Sequence, residues 1–260
     1  MSERWPAVAT SSAARRSIRD PAALLVALGF YALVATVLAT LWRTAAHANG
    51  GAVAGYDARQ LTWYIITSEA ATVALNVRLI EFIGDDIASG AVAVELLRPP
   101  SVLGVRIATE VGRCLPRLAV CAALGVVLAT VMAGGPPRPA TLLLAAPSLA
   151  LAVTCNLVAQ HAFAGAAFWV RDARSTWFLY QKLVFVLGGM LLPLQVLPGW
   201  LHTIASWLPF MAMAYAPARL ASGHAEPYLL VLQIVWLAAL AWLARAVFDA
   251  GERRLQVVGG

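Results

Sequence analysis

The sequence predicts an all-α integral membrane protein with six transmembrane helices, a short cytoplasmic helix and a re-entrant hairpin on the outer side. Three observations carry this reading. Of the 260 residues, 61% are hydrophobic and only 12% charged, with a mean hydropathy of +0.76, so the chain cannot clothe itself in polar surface. The apolar residues come in runs of about 20, the length of a membrane helix, without the alternation of a membrane strand. Basic residues gather in every second connection, as membrane orientation demands. The net charge of +6 is therefore topological, and no nucleic-acid partner is expected.

Residues 1–20 are polar and basic, and Pro21 opens a first span at about 22–42. The charged head, apolar run and Ala46-His47-Ala48 imitate a secretory signal. The run is longer than a signal core and more spans follow, so an uncleaved helix is expected. A Gly-rich loop, His47 to Gln60, leads to a second span at about 61–80. The third is expected at about 107–132, before Gly134-Gly135-Pro136-Pro137, and the fourth at about 141–170. After Arg171-Asp172-Ala173-Arg174 comes a fifth at about 177–192, and a sixth at about 228–248. Between them, Pro193, Pro198, Pro209 and Pro217 cut the chain into apolar pieces too short to cross. Such pieces fit a hairpin packed on protein that enters and leaves on one side. It is placed at about 198–220, framed by Pro198, Trp200, Pro209, Phe210 and Pro217. Residues 1–260 thus form a single transmembrane domain.

With six spans, Arg4, Arg15, Arg16, Arg19, Arg98, Arg106, Arg171, Arg174, Arg253 and Arg254 share the side of the N-terminus. Arg43, Arg59, Arg138 and Arg219 fall on the other. The positive-inside rule then makes both termini cytoplasmic, in a multi-pass protein of the cell's inner membrane.

Several chemistries are missing from the sequence. The only lysine, Lys182, stands between Gln181 and Leu183, so it cannot belong to a P-loop. No HExxH or G-x-S-x-G is present, and Cys114, Cys121 and Cys155 sit in apolar runs without metal-ligand spacing. No metal or cofactor is expected in this chain. Glu69 is the informative charge, roughly 13 Å into the second span by the helical rise. It either lines a substrate path, with Asn156, Gln160 and His161 of the fourth span, or bonds a neighbouring helix. Arg106, Arg113 and Arg117 share one face of the third span, with Glu110 in reach of the first two.

The chain is organised around the stretch from Glu81 to Ser101. A helix is expected over about 87–97, stopped by Pro99-Pro100. Ile87, Ala91 and Val94 stack on one face, too apolar for a helix left in water. Either lipid covers it or a groove on a soluble partner does. The contact residues would be Asp86, Ile87, Gly90, Val92, Val94, Glu95, Leu97 and Arg98, and Val92→Asp or Val94→Asp is expected to detach the partner.

Taken together, these motifs resemble the membrane subunits of ABC-2 type exporters. Ser89-Gly90 through Leu96-Leu97-Arg98-Pro99 is similar to that family's segment after span 2. Pro193, Pro198-Gly199-Trp200, Leu208-Pro209-Phe210, Pro217 and Gly223 are similar to its region before the last span, and Phe248, Arg253-Arg254 and Gly259 to its tail. The resemblance implies a permease whose helix after span 2 couples to separate ATPase subunits, which hold the ATP and magnesium. It also implies a second permease, of the same or a different chain, and a small-molecule or lipid substrate moved across the bilayer. An intramembrane enzyme using Glu69 and His161, or a membrane scaffold without transport, are the alternatives.

Overall fold

A computed structural model describes the backbone of residues 5–18, 21–76, 78–92, 101–170 and 172–258. Its elements are α1 (Trp5–Ile18), α2 (Pro21–Ala48), the strands β1 (Ala52–Val53) and β2 (Tyr56–Asp57), α3 (Ala58–Val73) and α4 (Leu79–Ala88). Then follow α5 (Val102–Ala133), α6 (Leu142–Ala164), α7 (Ala173–Leu187), α8 (Gly199–Ser206), α9 (Tyr215–Ala221) and α10 (Tyr228–Val258). The expected all-α class is what the structure shows. Four segments among the described residues are long and apolar enough to cross a membrane: Pro21–Ala48, Val102–Ala133, Pro139–Phe168 and Tyr228–Arg254.

The boundaries follow local chemistry. α2 runs on to Ala48 because no breaker precedes Asn49-Gly50-Gly51, where both glycines have positive φ. α3 begins on a capping box: the Asp57 carboxylate accepts from the Gln60 N–H, and the Gln60 side chain returns to the Asp57 N–H. The expected second span does not run unbroken to residue 80. α3 stops at Val73, and the Asn76 side chain then accepts from the Arg78 N–H at 3.1 Å, an Asx-type turn that precedes α4. The fifth span also shifts. Asp172 caps α7 by accepting from the Ser175 N–H at 3.0 Å, and the helix ends at Gly188, before Gly189 with its φ of 69°. The fourth ends as a tighter 3-10 turn over Gly165–Phe168.

α1, which the polar sequence of residues 1–20 did not suggest, lies along α5. Gly112 makes that possible, since a Cβ there would stand 2.2 Å from the Thr10 carbonyl oxygen. Thr10 also donates its hydroxyl to the Ala108 carbonyl at 3.0 Å. At the centre of the bundle, α3 is buried on every side from Leu61 to Ala71. Its hydroxyls hold the chain reversal after α7: Tyr64 donates to the Gly189 carbonyl at 2.5 Å and Ser68 to that of Met190 at 3.0 Å.

α8, the 3-10 turn Pro209–Ala212 and α9 occupy the place of the expected hairpin. α8 lies on the surface with Trp200 and Trp207 exposed, whereas Phe210 and all of α9 but Arg219 are buried. At seven residues α9 is about 10 Å long, a third of the hydrocarbon thickness.

Candidate functional site

α4 carries the first candidate surface. Leu79, Ile80, Ile83 and Ile87 fall on one face and are buried against α6, α7 and the Gly165–Phe168 turn. Gly84 sits among them because a Cβ there would meet that of Ala173 at 2.3 Å. Ion pairs then fix the helix at its edges. Asp86 accepts from Arg106 of α5 at 2.8 Å, and Glu81 holds Arg78 at 2.6 Å with Arg174 of α7 at 3.9 Å. The Glu81–Arg78 pair lies within the first turn of α4 and stiffens that turn, whereas Arg106–Asp86 ties α4 to α5; the wet ends of these pairs add little. What remains outward is Phe82, half exposed under the Arg78 guanidinium, with Asp85, Ala88 and Ser89.

Of the expected helix over 87–97 the structure describes residues 87–92: α4 ends at Ala88, and after Gly90 the residues Ala91 and Val92 are again helical. Gly90, with φ of 78°, terminates a helix that began at Leu79, and Ile87 and Val92 are buried in the chain's own apolar core. Their side chains are covered from within, so Val92→Asp would break the fold before it reached a partner. Asp86 is half exposed but tied to Arg106. Val94, Glu95, Leu97 and Arg98 lie outside the described residues.

The second candidate is the set of polar groups inside the bundle. Asn156 accepts through its side-chain oxygen from Gln160 at 2.9 Å and from the Tyr180 hydroxyl of α7 at 2.8 Å. A matching knot joins α6 to α10, where Ser148 donates to Gln233 at 2.8 Å and Gln233 donates to the Ala212 carbonyl at 2.8 Å. His161 donates from Nδ1 to the Leu157 carbonyl at 2.8 Å, leaving Nε2 without a partner. Glu69 is 2% exposed, and its Oε1 has none either. So the structure brings Asn156 and Gln160 together but ties neither to Glu69. No hydrogen bond or ion pair joins Glu69 to His161 among the described residues, and the pairing an intramembrane enzyme would use is not formed. Tyr180, Ser148 and Gln233 were missed in the sequence; each is a lone polar residue in an apolar run, which was the signal available.

At the opposite end of the bundle, Arg219 of α9 donates to the Tyr56 hydroxyl at 2.6 Å and pairs with Glu226 at 2.9 Å. Its guanidinium lies over the Tyr56 ring, 5.2 Å from the centroid. Gln195 then bridges Tyr56 and Tyr215 at 3.3 and 2.6 Å, closing a ring of bonds between the β-hairpin and α9. His224 stacks beside Tyr56 and bonds Ser222 at 3.1 Å; burial, then the nearby Arg219, holds its imidazole below the usual value.

Among the described residues, no group of His, Cys, Asp and Glu is arranged to hold a metal ion. A family model described as "ABC-2 family transporter protein" matches residues 31–259. A search of curated proteins finds no match.

Proposed function

Because the chain belongs to the ABC-2 transporter family, and so is a multi-pass membrane component of an ABC transporter, we propose that it is the permease subunit of an exporter driven by separate ATPase chains. The observation that carries the ATPase contact is α4: a helix fixed to α5, α6 and α7 that still presents Phe82 and Asp85 outward. A partner that grips Phe82 pulls on three helices at once, because the buried isoleucines and the Arg106–Asp86 pair tie α4 to them. The contact then runs on through Gly90 into the segment of Val94, Glu95, Leu97 and Arg98.

In this reading α3 and α7 complete six spans with the four long helices, and α8 to α9 form the re-entrant outer hairpin. Both termini and α4 are cytoplasmic, in keeping with the arginines of that side. Glu69, Asn156, Gln160 and His161 are packed inside one chain, which supports a substrate path formed with a second permease, of the same or another type. ATP and magnesium are bound by the ATPase.

The test is co-expression and purification of the chain with candidate P-loop ATPase chains. Phe82→Ala should weaken ATPase retention by about 2 kcal/mol, as loss of an aromatic anchor does, with no change in membrane insertion. Undiminished ATPase binding and substrate-stimulated turnover in that variant would remove α4 from the contact.

A further inference from the structure

Between α5 and α6 the bundle leaves a cavity of about 380 Å³, floored by Trp63, Ile66 and Thr67 of α3 and closed at one side by Tyr31 of α2. Small side chains make the space. Ala119, Ala122 and Gly125 of α5 face Ala145 and Ala146 of α6 across it. Gly125 cannot be larger, because a Cβ there would stand 2.4 Å from the Tyr31 hydroxyl oxygen.

The lining identifies what fits. The Tyr31 hydroxyl already donates to the Ile66 carbonyl at 2.9 Å, and the Trp63 indole donates to that of Gly134 at 3.3 Å. Among the described residues no charged side chain borders the space, so none of them would hold a charged ligand there. The rim is open: Leu115 is 38% and Val126 46% exposed. Both belong to a helix long and apolar enough to cross the membrane; with α5 as a span, as in the function proposed above, the mouth opens on hydrocarbon, where no water competes for the space.

Shape narrows the choice further. The α5 wall from Leu115 to Val126 is about 17 Å long at the helical rise, close to the roughly 15 Å of one leaflet of hydrocarbon. Over that length a helix about 10 Å across fills roughly 1,300 Å³, more than all the space between the walls, so a span of a second permease cannot enter, whereas a single extended hydrocarbon chain can. We propose that this groove is a binding site for one acyl chain of a bilayer phospholipid, held between α5 and α6 apart from the lipid that merely surrounds the protein. The chain displaces no polar contact and supplies the dispersion contacts that the alanine-lined walls lack.

The test uses the full chain in bilayers of phosphatidylethanolamine and phosphatidylglycerol containing a phospholipid with a mid-chain diazirine. After irradiation, adducts are mapped by peptide mass spectrometry. Adducts per residue on the groove walls should exceed those at the outward positions Phe30, Val235 and Trp242 by about fivefold or more; these exposed side chains report surrounding lipid. Ala122→Leu with Ala146→Leu fills the groove and should remove its adducts while leaving the outward labelling unchanged, which also shows that the variant is folded. Uniform labelling of groove and outer faces in the wild-type chain overturns the proposal, as does labelling that survives the double substitution. Displacement of the groove adducts by tetraphenylphosphonium, but not by excess unlabelled phospholipid, would also overturn it by assigning the groove to a transported lipophilic cation. None of these readouts depends on the ATPase.

Discussion

α2 and α3 pack side by side, yet they meet opposite surroundings. Only 17% of the apolar window of α2 is buried, and Leu25, Val26, Phe30 and Leu33 point out of the bundle. In α3 every side chain from Leu61 to Ala71 is enclosed. The outer helix is long and uniformly apolar because lipid demands it. The inner one is short and carries Thr62, Thr67, Ser68 and Glu69; Ser68 finds in the Met190 carbonyl an acceptor that lipid cannot supply, while the Glu69 Oε1 is enclosed without one. Hydropathy therefore finds the helices at the edge of a membrane protein more readily than the one at its centre.

That difference predicts how substitutions should rank. Trp63→Ala removes an almost fully buried side chain from α3 and should cost about 3–5 kcal/mol, read as a large fall in the thermal midpoint of the purified chain. Gly251→Ala should come next. Its Cβ would stand 2.2 Å from a Phe168 ring carbon, and such overpacking costs about 1–3 kcal/mol. Arg219→Ala leaves Glu226 and Tyr56 without their shared donor, for about 1–3 kcal/mol. Leu33→Ala on the open face of α2 should change stability by less than about 0.5 kcal/mol. A clearly larger loss at Leu33 would break the contrast by showing that another chain covers α2.

The outer ring sharpens the comparison through pH. The folded state holds the His224 imidazole, set among Arg219, Glu226, Arg138 and Tyr56, below its ordinary value. A histidine depressed on folding favours the neutral fold, so its contribution is complete above about pH 6.5 and is lost as pH falls below that. The thermal midpoint should drop on acidification below this point, and His224→Gln should blunt that drop without removing the Arg219–Glu226 pair.

Much of this was legible in the sequence. The long runs of α2, α5, α6 and α10, the proline-cut region before α10 and the charged cluster around Glu81 to Arg98 all announced themselves by composition and spacing. The expected helix ran through Gly90; that Gly90 instead follows a helix begun at Leu79 depended on the turn at Asn76, which only the folded chain shows. The Asn156–Tyr180 and Ser148–Gln233 knots were out of reach because each joins residues more than 20 apart, which only packing brings together. α1 stayed hidden because its contact with α5 rests on a missing side chain, at Gly112.

The central claim is that α4 carries the ATPase contact, and the most direct measurement is photocrosslinking from position 82. With a photoreactive amino acid replacing Phe82 in the full chain, in membranes containing its ATPase, the account predicts a permease–ATPase adduct, with none from the same group at Leu33. Adducts at position 82 with phospholipid alone, the ATPase still bound and active, would show that α4 rests on the bilayer surface and would contradict it.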